Sequence, residues 1–292
     1  MLDIKEKYIN PFTDFGFKKL FGTEMNKDLL MDFLNELLPV SDKITELNYL
    51  NPEQLGRSEA DRNAVFDIHC KTETGEYFIV EMQKATQKFF KDRSVYYASA
   101  PIRDQGMKGE WNFELKAVYT VGVLNFEFNK NDEDKNYFHS EVKLMDTKKK
   151  AVFYDKLTFI YLEMPKFNKT LEELETRFDK WLYVLKNLHK LQELPPKLQE
   201  RIFKKIFKVA EIAKMTKEEY AEYEHSKKVF NDYKNTMDTA KEIAREEGLA
   251  EGEAKGEKNA KIAIAKKMLS KGIDIAEIAD MTGLTAAQIK AL

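Results

Sequence analysis

The chain has 292 residues, a formal net charge of −2, and 43% hydrophobic and 12% aromatic residues. This composition supplies a core for one large domain or two modest ones, and it excludes an intrinsically disordered protein. The near-neutral charge argues against a protein that coats nucleic acid by bulk attraction, while a local basic surface for DNA stays compatible with it.

Cysteine usage and the N-terminal sequence indicate the compartment. The single cysteine, Cys70, excludes an internal disulfide framework, which is typical of a reducing environment. The first residues contain no apolar stretch of signal-peptide length, and no apolar run reaches membrane-spanning length. We therefore expect a cytoplasmic protein with no membrane partner.

Two helices are the first predicted elements. For the first, Thr13 is a suitable N-cap, Asp14 suits the first turn, and Gly22 is a suitable C-terminal stop. A second helix is expected to end before Pro39. Its apolar face is formed by Leu29, Leu30, Phe33, Leu34, Leu37 and Leu38.

Six strand-like runs follow, with a helix at Thr86–Ile102 between the third and the fourth. This order predicts an α+β or α/β arrangement built around one sheet, which we assign to a domain of residues 1–167. The runs are Ile44–Leu50, Ala64–Cys70, Tyr77–Gln83, Lys116–Phe126, Phe138–Met145 and Leu157–Met164.

The C-terminal half is predicted to be all helical. In a helical domain of residues 168–247, the capping boxes Thr170–Glu173 and Thr216–Glu219 predict two helix starts. An amphipathic helix between them ends near Ile212.

A third segment, residues 248–292, begins with glycines at intervals of four, which predict a weak helix or a hinge. Short helices then close the chain, the last one capped at Thr285. This small module is expected to be either a helix-turn-helix that reads DNA or an element that forms a homo-oligomer through the C-terminal helices.

A predicted hairpin carries the residues with catalytic potential. A three-residue loop, Glu73–Gly75, places glycine at the left-handed position and pairs Thr72 with Glu76. The same register sets Asp67 opposite Glu81, with Cβ atoms about 5 Å apart. One face of the hairpin is then apolar, with Phe66, Ile68, Cys70, Phe78, Val80 and Met82, and the other carries Asp67, His69, Glu81 and Gln83.

Two interpretations of the acidic face stand side by side. Two opposed carboxylates repel each other, and a divalent cation with oxygen ligands would compensate that repulsion. The alternative is an ordinary solvated face of a half-buried hairpin, which periodicity alone favours.

The hairpin resembles the PD-(D/E)XK nuclease motif, because an acid ends one strand and an apolar strand closes in Glu81-Met82-Gln83. The glutamine-ended form resembles the transposase-like, recombination-promoting nuclease (Rpn) family. The segment Thr13–Phe21 is similar to that family's opening, and Gly248–Gly256, Met268–Gly272 and Thr282–Thr285 are similar to its C-terminus.

This resemblance implies a restriction-endonuclease-like α/β core with a central mixed sheet. It also implies an Mg²⁺- or Mn²⁺-dependent endodeoxyribonuclease linked to DNA recombination or transposition, with DNA as its partner. Asp67 and Glu81 would bind the metal, and Gln83 would stand where many members carry a lysine. Asp14 and Lys18 of the first helix are further candidates, although Asp14 is equally well explained as a helix N-terminal charge.

The resemblance leaves an alternative open, because Gln83 brings no positive charge to the site. A catalytically degenerate member that binds DNA or protein would retain the same fold. Lys84 is adjacent, but strand alternation points it to the opposite face.

Residues on the following helix are assigned more ordinary roles. We expect Arg93 and Arg103 to form surface salt bridges rather than phosphate contacts, and Tyr96 and Tyr97 to pack rather than stack on bases. His69 is expected to lie outside the site.

Overall fold

In the computed structural model, the described residues are 6–38, 43–50, 53–54, 64–65, 67–85, 87–106, 111–128 and 135–292. They divide into two units, one ending at Phe230 and the other running from Asn231 to Leu292. The domain boundaries predicted at 167 and 247 stay predictions.

The first unit opens with two helices, α1 (Asp14–Phe21) and α2 (Lys27–Asn35). As predicted, Thr13 caps α1, because its hydroxyl accepts a hydrogen bond from the Gly16 N–H at 3.0 Å. Gly22 is the C-cap residue of α1. Helix α2 ends at Asn35, before the predicted stop at Pro39, which lies outside the described residues, so that Leu37 and Leu38 follow the helix.

A six-stranded mixed sheet forms the centre of this unit, which confirms the predicted fold class. Its strands are β1 (Leu47–Tyr49), β4 (Ile68–Thr72), β5 (Tyr77–Gln83), β6 (Val118–Leu124), β7 (His139–Asp146) and β8 (Ala151–Glu163). They lie in the order β1-β4-β5-β6-β8-β7. The β5–β6 and β6–β8 pairs are parallel, and the β1–β4, β4–β5 and β7–β8 pairs are antiparallel.

Two predicted strands differ from those observed. The run Ala64–Cys70 is divided between β4 and a short strand β3 (Ala64–Val65), which pairs with β2 (Glu53–Gln54) in a separate two-stranded sheet. Strand β8 begins at Ala151, not at Leu157, because its first six residues pair with β7 alone. These six residues are mostly exposed and mixed in composition, so that hydrophobic periodicity does not predict the extension.

The main hydrophobic core joins one face of the sheet to helices from both halves of the unit. Helix α4 (Arg177–Asn187) contributes Trp181, whose ring centroid lies 5.9 Å from that of Phe21 and 5.3 Å from that of Phe203 on α5 (Arg201–Val209). Helix α3 (Phe90–Asp104), which was predicted at 86–102, packs on the other face of the sheet.

The predicted start of α4 at Thr170 is wrong. Thr170 and Glu173 form a turn, in which the Thr170 N–H donates to Glu173 Oε2 at 2.7 Å. The capping box is formed instead by Thr176 and Asp179, whose carboxylate also accepts the Lys169 ammonium at 2.9 Å. The second threonine is favoured because its acid is buried and gains this ion pair.

The predicted capping box at Thr216 is confirmed at the start of the long helix α6 (Lys217–Leu269). In the second unit, α6 stays helical through Gly248, Gly252 and Gly256, so that this tract is a helix and not a hinge.

Two short helices, α7 (Ile275–Thr282) and α8 (Ala286–Lys290), follow α6 as predicted. Gly272 and Gly283 adopt φ values of 75° and 71° at the turns that separate the three helices. A small core holds the module together and consists of Ala265, Ile278, Leu284 and Ile289. Within the described part of the chain, none of the helices combines the length and apolarity needed to span a bilayer.

Candidate active site

The predicted hairpin register is confirmed. The Thr72 N–H donates to Glu76 O at 2.9 Å, and Gly75 has a φ of 101°. The pairs Ile68↔Val80 and Cys70↔Phe78 continue this register along β4 and β5. Asp67 lies just before β4, where its Oδ2 accepts the Met82 N–H at 2.7 Å. The carboxyl of Asp67 is therefore held beside the end of β5 that carries Glu81.

Burial distinguishes the two interpretations of the acidic face. Glu81 is only 9% exposed, and His69 and Ile79 on the same face are buried as well. Strand β5 is internal to the sheet, and Ala100 of α3 packs over Ile79. The alternative of an ordinary solvated strand face therefore does not describe Glu81.

Burial also changes the ionisation of the two acids. The pKa of Glu81 is raised to about 7, mainly by burial and further by the charge of Asp67, while Arg93 opposes the rise. Burial likewise raises the pKa of Asp67, against the opposing effect of the Met82 hydrogen bond. Two acids with raised pKa values, one of which acts on the other through its charge, form a candidate functional site, and a bound cation would offset their negative charge.

Arg93 is the main correction to the sequence interpretation, because it contacts the acidic site as well as the exposed Gln87. Its Nη2 lies 3.5 Å from Glu81 Oε2 and donates a hydrogen bond to Gln83 Oε1. The guanidinium also lies 5.5 Å from the ring centroids of Phe90 and Tyr97. This position follows from the first turn of α3, which brings Arg93 over the end of β5.

Of the other α3 residues, Arg103 and Tyr97 have the roles predicted for them, whereas the side chain of Tyr96, which was expected to pack, is 49% exposed. Arg103 forms an exposed ion pair with its neighbour Asp104 at 3.9 Å, as favoured. Tyr97 packs on the small cluster of Ile79 and Ala100.

Asp14 and Lys18 lie near the site without joining it directly. They form an ion pair with each other at 3.1 Å, and both side chains are about half exposed. The charge of Asp14 raises the pKa of Asp67 and that of Lys18 lowers it. No hydrogen bond or ion pair links either residue to Asp67 or Glu81 among the residues described.

Strand alternation predicts that Lys84 points away from the site, yet its charge acts on Asp67. It follows the last residue of β5, and its ammonium lowers the pKa of Asp67, as Lys18 does. Alternation fails here because Lys84 is already outside the strand. Positive charge near Asp67 is thus available although position 83 is a glutamine.

Tyr161 borders the site, and the sequence interpretation did not identify it. Cross-strand pairing sets Glu81 beside Gly122 and Gly122 beside Tyr161. A Cβ at Gly122 would lie 3.0 Å from the Tyr161 ring, so that glycine permits the ring to lean towards Glu81. Burial raises the pKa of Tyr161, the Glu81 charge adds to it, and a hydrogen bond with Ser94 opposes it. No sequence signal joins residues so far apart along the chain.

The residues of the site fit a divalent cation that takes two ligands from protein carboxylates and most of the others from water and phosphate. The described part of the chain contains no cluster of three or more His, Cys, Asp and Glu side chains able to hold a metal. The protein donors are the Asp67 and Glu81 carboxylates, with the Gln83 amide oxygen nearby. Hard oxygen donors of this kind suit Mg²⁺, which proteins commonly hold through one or two carboxylates together with water and phosphate oxygens.

Comparison with known proteins gives two matches. A family model described as "PD-(D/E)XK nuclease family transposase" matches residues 11–240, which include every candidate site residue. A second model, described as "Rpn/YhgA-like nuclease family, C-terminal HTH domain", matches residues 258–292. Neither a curated protein nor a solved structure matches the chain.

Proposed function

Because this chain belongs to the family described as "PD-(D/E)XK nuclease family transposase", we propose that it is a metal-dependent DNA endonuclease that hydrolyses phosphodiester bonds. The observation that carries this proposal is the acid pair at the end of the hairpin: the half-buried Asp67 accepts the Met82 N–H, and its charge acts on the buried Glu81 next to Met82. A role in DNA recombination or transposition is the biological context that the family description supports.

Asp67 and Glu81 would hold Mg²⁺ or Mn²⁺. When bound, such a cation supplies Lewis-acid chemistry, since it lowers the pKa of water and offsets charge on a phosphodiester. Either metal suits the oxygen donors of this site.

Other residues of the site would orient water, bind phosphate and supply positive charge. Gln83 can accept and donate hydrogen bonds and is suited to orient a water molecule, although it carries no charge. Arg93 holds the Gln83 amide oxygen and balances Glu81, so its guanidinium is positioned to bind a phosphate oxygen. Lys18 and Lys84 add positive charge on the Asp67 side.

Cleavage of supercoiled plasmid tests this function. Purified protein should nick the plasmid in Mg²⁺ or Mn²⁺ and not in EDTA. Asp67→Asn and Glu81→Gln should each abolish nicking and retain the wild-type circular dichroism spectrum. The matched controls, Asp232→Asn and Glu222→Gln, change exposed acids on α6 and should keep full activity. Undiminished nicking by both site variants would disprove the assignment.

A second candidate function is favoured by one observation, the Gln83–Arg93 contact. Arg93 already compensates the acids, and glutamine replaces the lysine of many relatives, which suits a degenerate member that binds DNA without cutting it. Well-folded protein that binds DNA equally with and without Mg²⁺, and never nicks it, would identify this case.

The C-terminal module fits DNA binding in either case. Residues 258–292 match a helix-turn-helix family, and they fold around their own small core. We assign DNA recognition to this module as part of the proposal.

A further inference from the structure

The hairpin formed by β7 and β8 extends beyond the rest of the sheet. Strand β6 pairs with β8 only from Leu157 onward, whereas β7 pairs with β8 back to Ala151. The six residues before Leu157 therefore belong to a short two-stranded ribbon, in which Leu144, Met145 and Asp146 of β7 pair with Tyr154, Val152 and Ala151 across an irregular register. Among the described strands, none besides β7 and β8 pairs with residues 144–154, here called the hairpin tip.

The hairpin tip carries a concentrated positive charge. Lys148, Lys149 and Lys150 are consecutive and exposed. Asp146 orders the turn, because its Oδ1 accepts the Lys148 and Lys149 N–H groups at 2.9 and 3.0 Å. The tip contains three lysines and one aspartate, so its net charge is +2, opposite in sign to the chain's −2.

Exposed apolar side chains surround these lysines. Phe153 is 79% exposed, and Leu144, Met145 and Val152 are exposed beside it. Met145 pairs with Val152 across the hairpin, which leaves apolar surface next to the basic turn. Single exposed apolar residues need no explanation, but a group of four beside three consecutive exposed lysines does.

We propose that the hairpin tip is a contact surface for duplex DNA, distinct from both the acid pair and the C-terminal module. The lysines would bind phosphates, and Phe153 would supply apolar contact in the groove. Proteins that bind the minor groove combine cations with such apolar side chains. This inference rests on the proposed function, because it takes DNA as the partner, and it adds a surface that the nuclease motif does not include.

Charge favours DNA over a second copy of the chain as the occupant. Strand β7 is an edge strand, and edge strands are open to pairing with another chain. Two tips brought together would, however, place two net positive turns in contact, which costs free energy. A polyanion removes that repulsion.

Salt dependence of binding tests the proposal. The full chain is titrated onto a fluorescent 30-base-pair duplex in EDTA at several KCl concentrations. Variant Lys148→Gln/Lys149→Gln/Lys150→Gln should weaken binding and make the slope of log K against log[salt] shallower by about 2.7, since each phosphate contact contributes about 0.9.

The control is matched in charge. Variant Lys190→Gln/Lys204→Gln/Lys208→Gln removes three exposed lysines elsewhere in the same unit and should leave the slope unchanged. Phe153→Ser should lower the affinity at every salt concentration without changing the slope, because it removes no charge.

Three results would overturn the proposal. The first is an unchanged slope for the hairpin variant, and the second is wild-type protein that shows no salt-sensitive binding to duplex DNA. The third is a lower molecular mass in solution for Phe153→Ser with unchanged DNA affinity, which would identify a second copy as the occupant. If wild-type protein does not nick plasmid but the expected change in salt slope is observed, the nuclease function is contradicted and the DNA contact at the hairpin tip is not.

Discussion

At the residue scale, Arg93 connects the acid pair to the helix that covers it. One guanidinium contacts Glu81, Gln83 and Gln87 at once, and such a fork cannot be reproduced by a single ammonium. Its aromatic neighbours, Phe90 and Tyr97, fix its direction. Arg93 therefore behaves as a positioning group for Gln83 in addition to its charge.

Arg93→Lys should retain the fold and slow cleavage about 100-fold, a loss typical for removal of one oriented donor. The lysine keeps the charge near Glu81 but cannot hold Gln83 at the same time. Single-turnover nicking rates measure this effect, and Arg103→Lys on the same helix is the matched control. Equal rates for wild type and Arg93→Lys would show that charge alone is required.

At the element scale, two helical glycines have opposite expected effects. A Cβ at Gly16 in α1 would lie 2.1 Å from the Asn10 carbonyl oxygen, whereas one at Gly248 in α6 would meet nothing within 4 Å. The first glycine is required by close packing, and the second only weakens its helix.

Gly16→Ala should lower the free energy of unfolding by about 1–3 kcal/mol, because the added methyl group overpacks the site. Gly248→Ala should increase the stability of α6 by about 1 kcal/mol. Urea unfolding followed by circular dichroism gives both values. A stabilised Gly16→Ala variant would contradict the packing seen around α1.

The capping box of α4 predicts a pH dependence. Burial acts to raise the pKa of Asp179, but hydrogen bonds from Lys169 and from the Thr176 and Glu175 N–H groups outweigh it and lower the pKa. The ionised carboxylate therefore stabilises the fold above the ordinary aspartate pKa of about 3.9. This contribution is lost as the pH falls through that value towards the lower folded pKa.

Asp179→Asn should accordingly be about 1 kcal/mol less stable than wild type at pH 7. The difference should shrink below about pH 4, where the carboxyl of the unfolded chain begins to bind a proton and that of the folded protein follows at lower pH. Urea midpoints between pH 3 and 7 measure it, with Glu222→Gln as a control expected to follow wild type. A difference that stays constant over this range would show that ionisation of Asp179 does not contribute to the pH dependence of stability.

At the scale of the whole molecule, metal binding should be visible as stability. A cation that binds only the folded protein raises its free energy of unfolding by about 2.7 kcal/mol at a hundredfold excess over Kd. Thermal melts with and without Mn²⁺ should show this increase for wild type and not for Asp67→Asn. Equal increases for both proteins would place the cation elsewhere, whether or not the protein cuts DNA.

Much of the fold was predictable because its signals are local. The register of the hairpin follows from one glycine loop and strict alternation between Ile68 and Val80, and both are confirmed. The start of α4 was not predictable in the same way, because Thr170 and Thr176 carry equivalent capping signals. Only the buried Asp179 and its ion pair with Lys169 distinguish them.

The candidate site was likewise predictable only in part. The sequence by itself determined the register of the β4–β5 hairpin, because that depends on turn geometry and alternation, and its resemblance to known nucleases indicated the family and the mixed sheet. Only the tertiary structure decided that Glu81 is buried, that Arg93 contacts the acids, and that Tyr161 leans over Gly122. Burial and long-range contact depend on which elements pack together, and alternation along one strand carries no information about the helix that covers it.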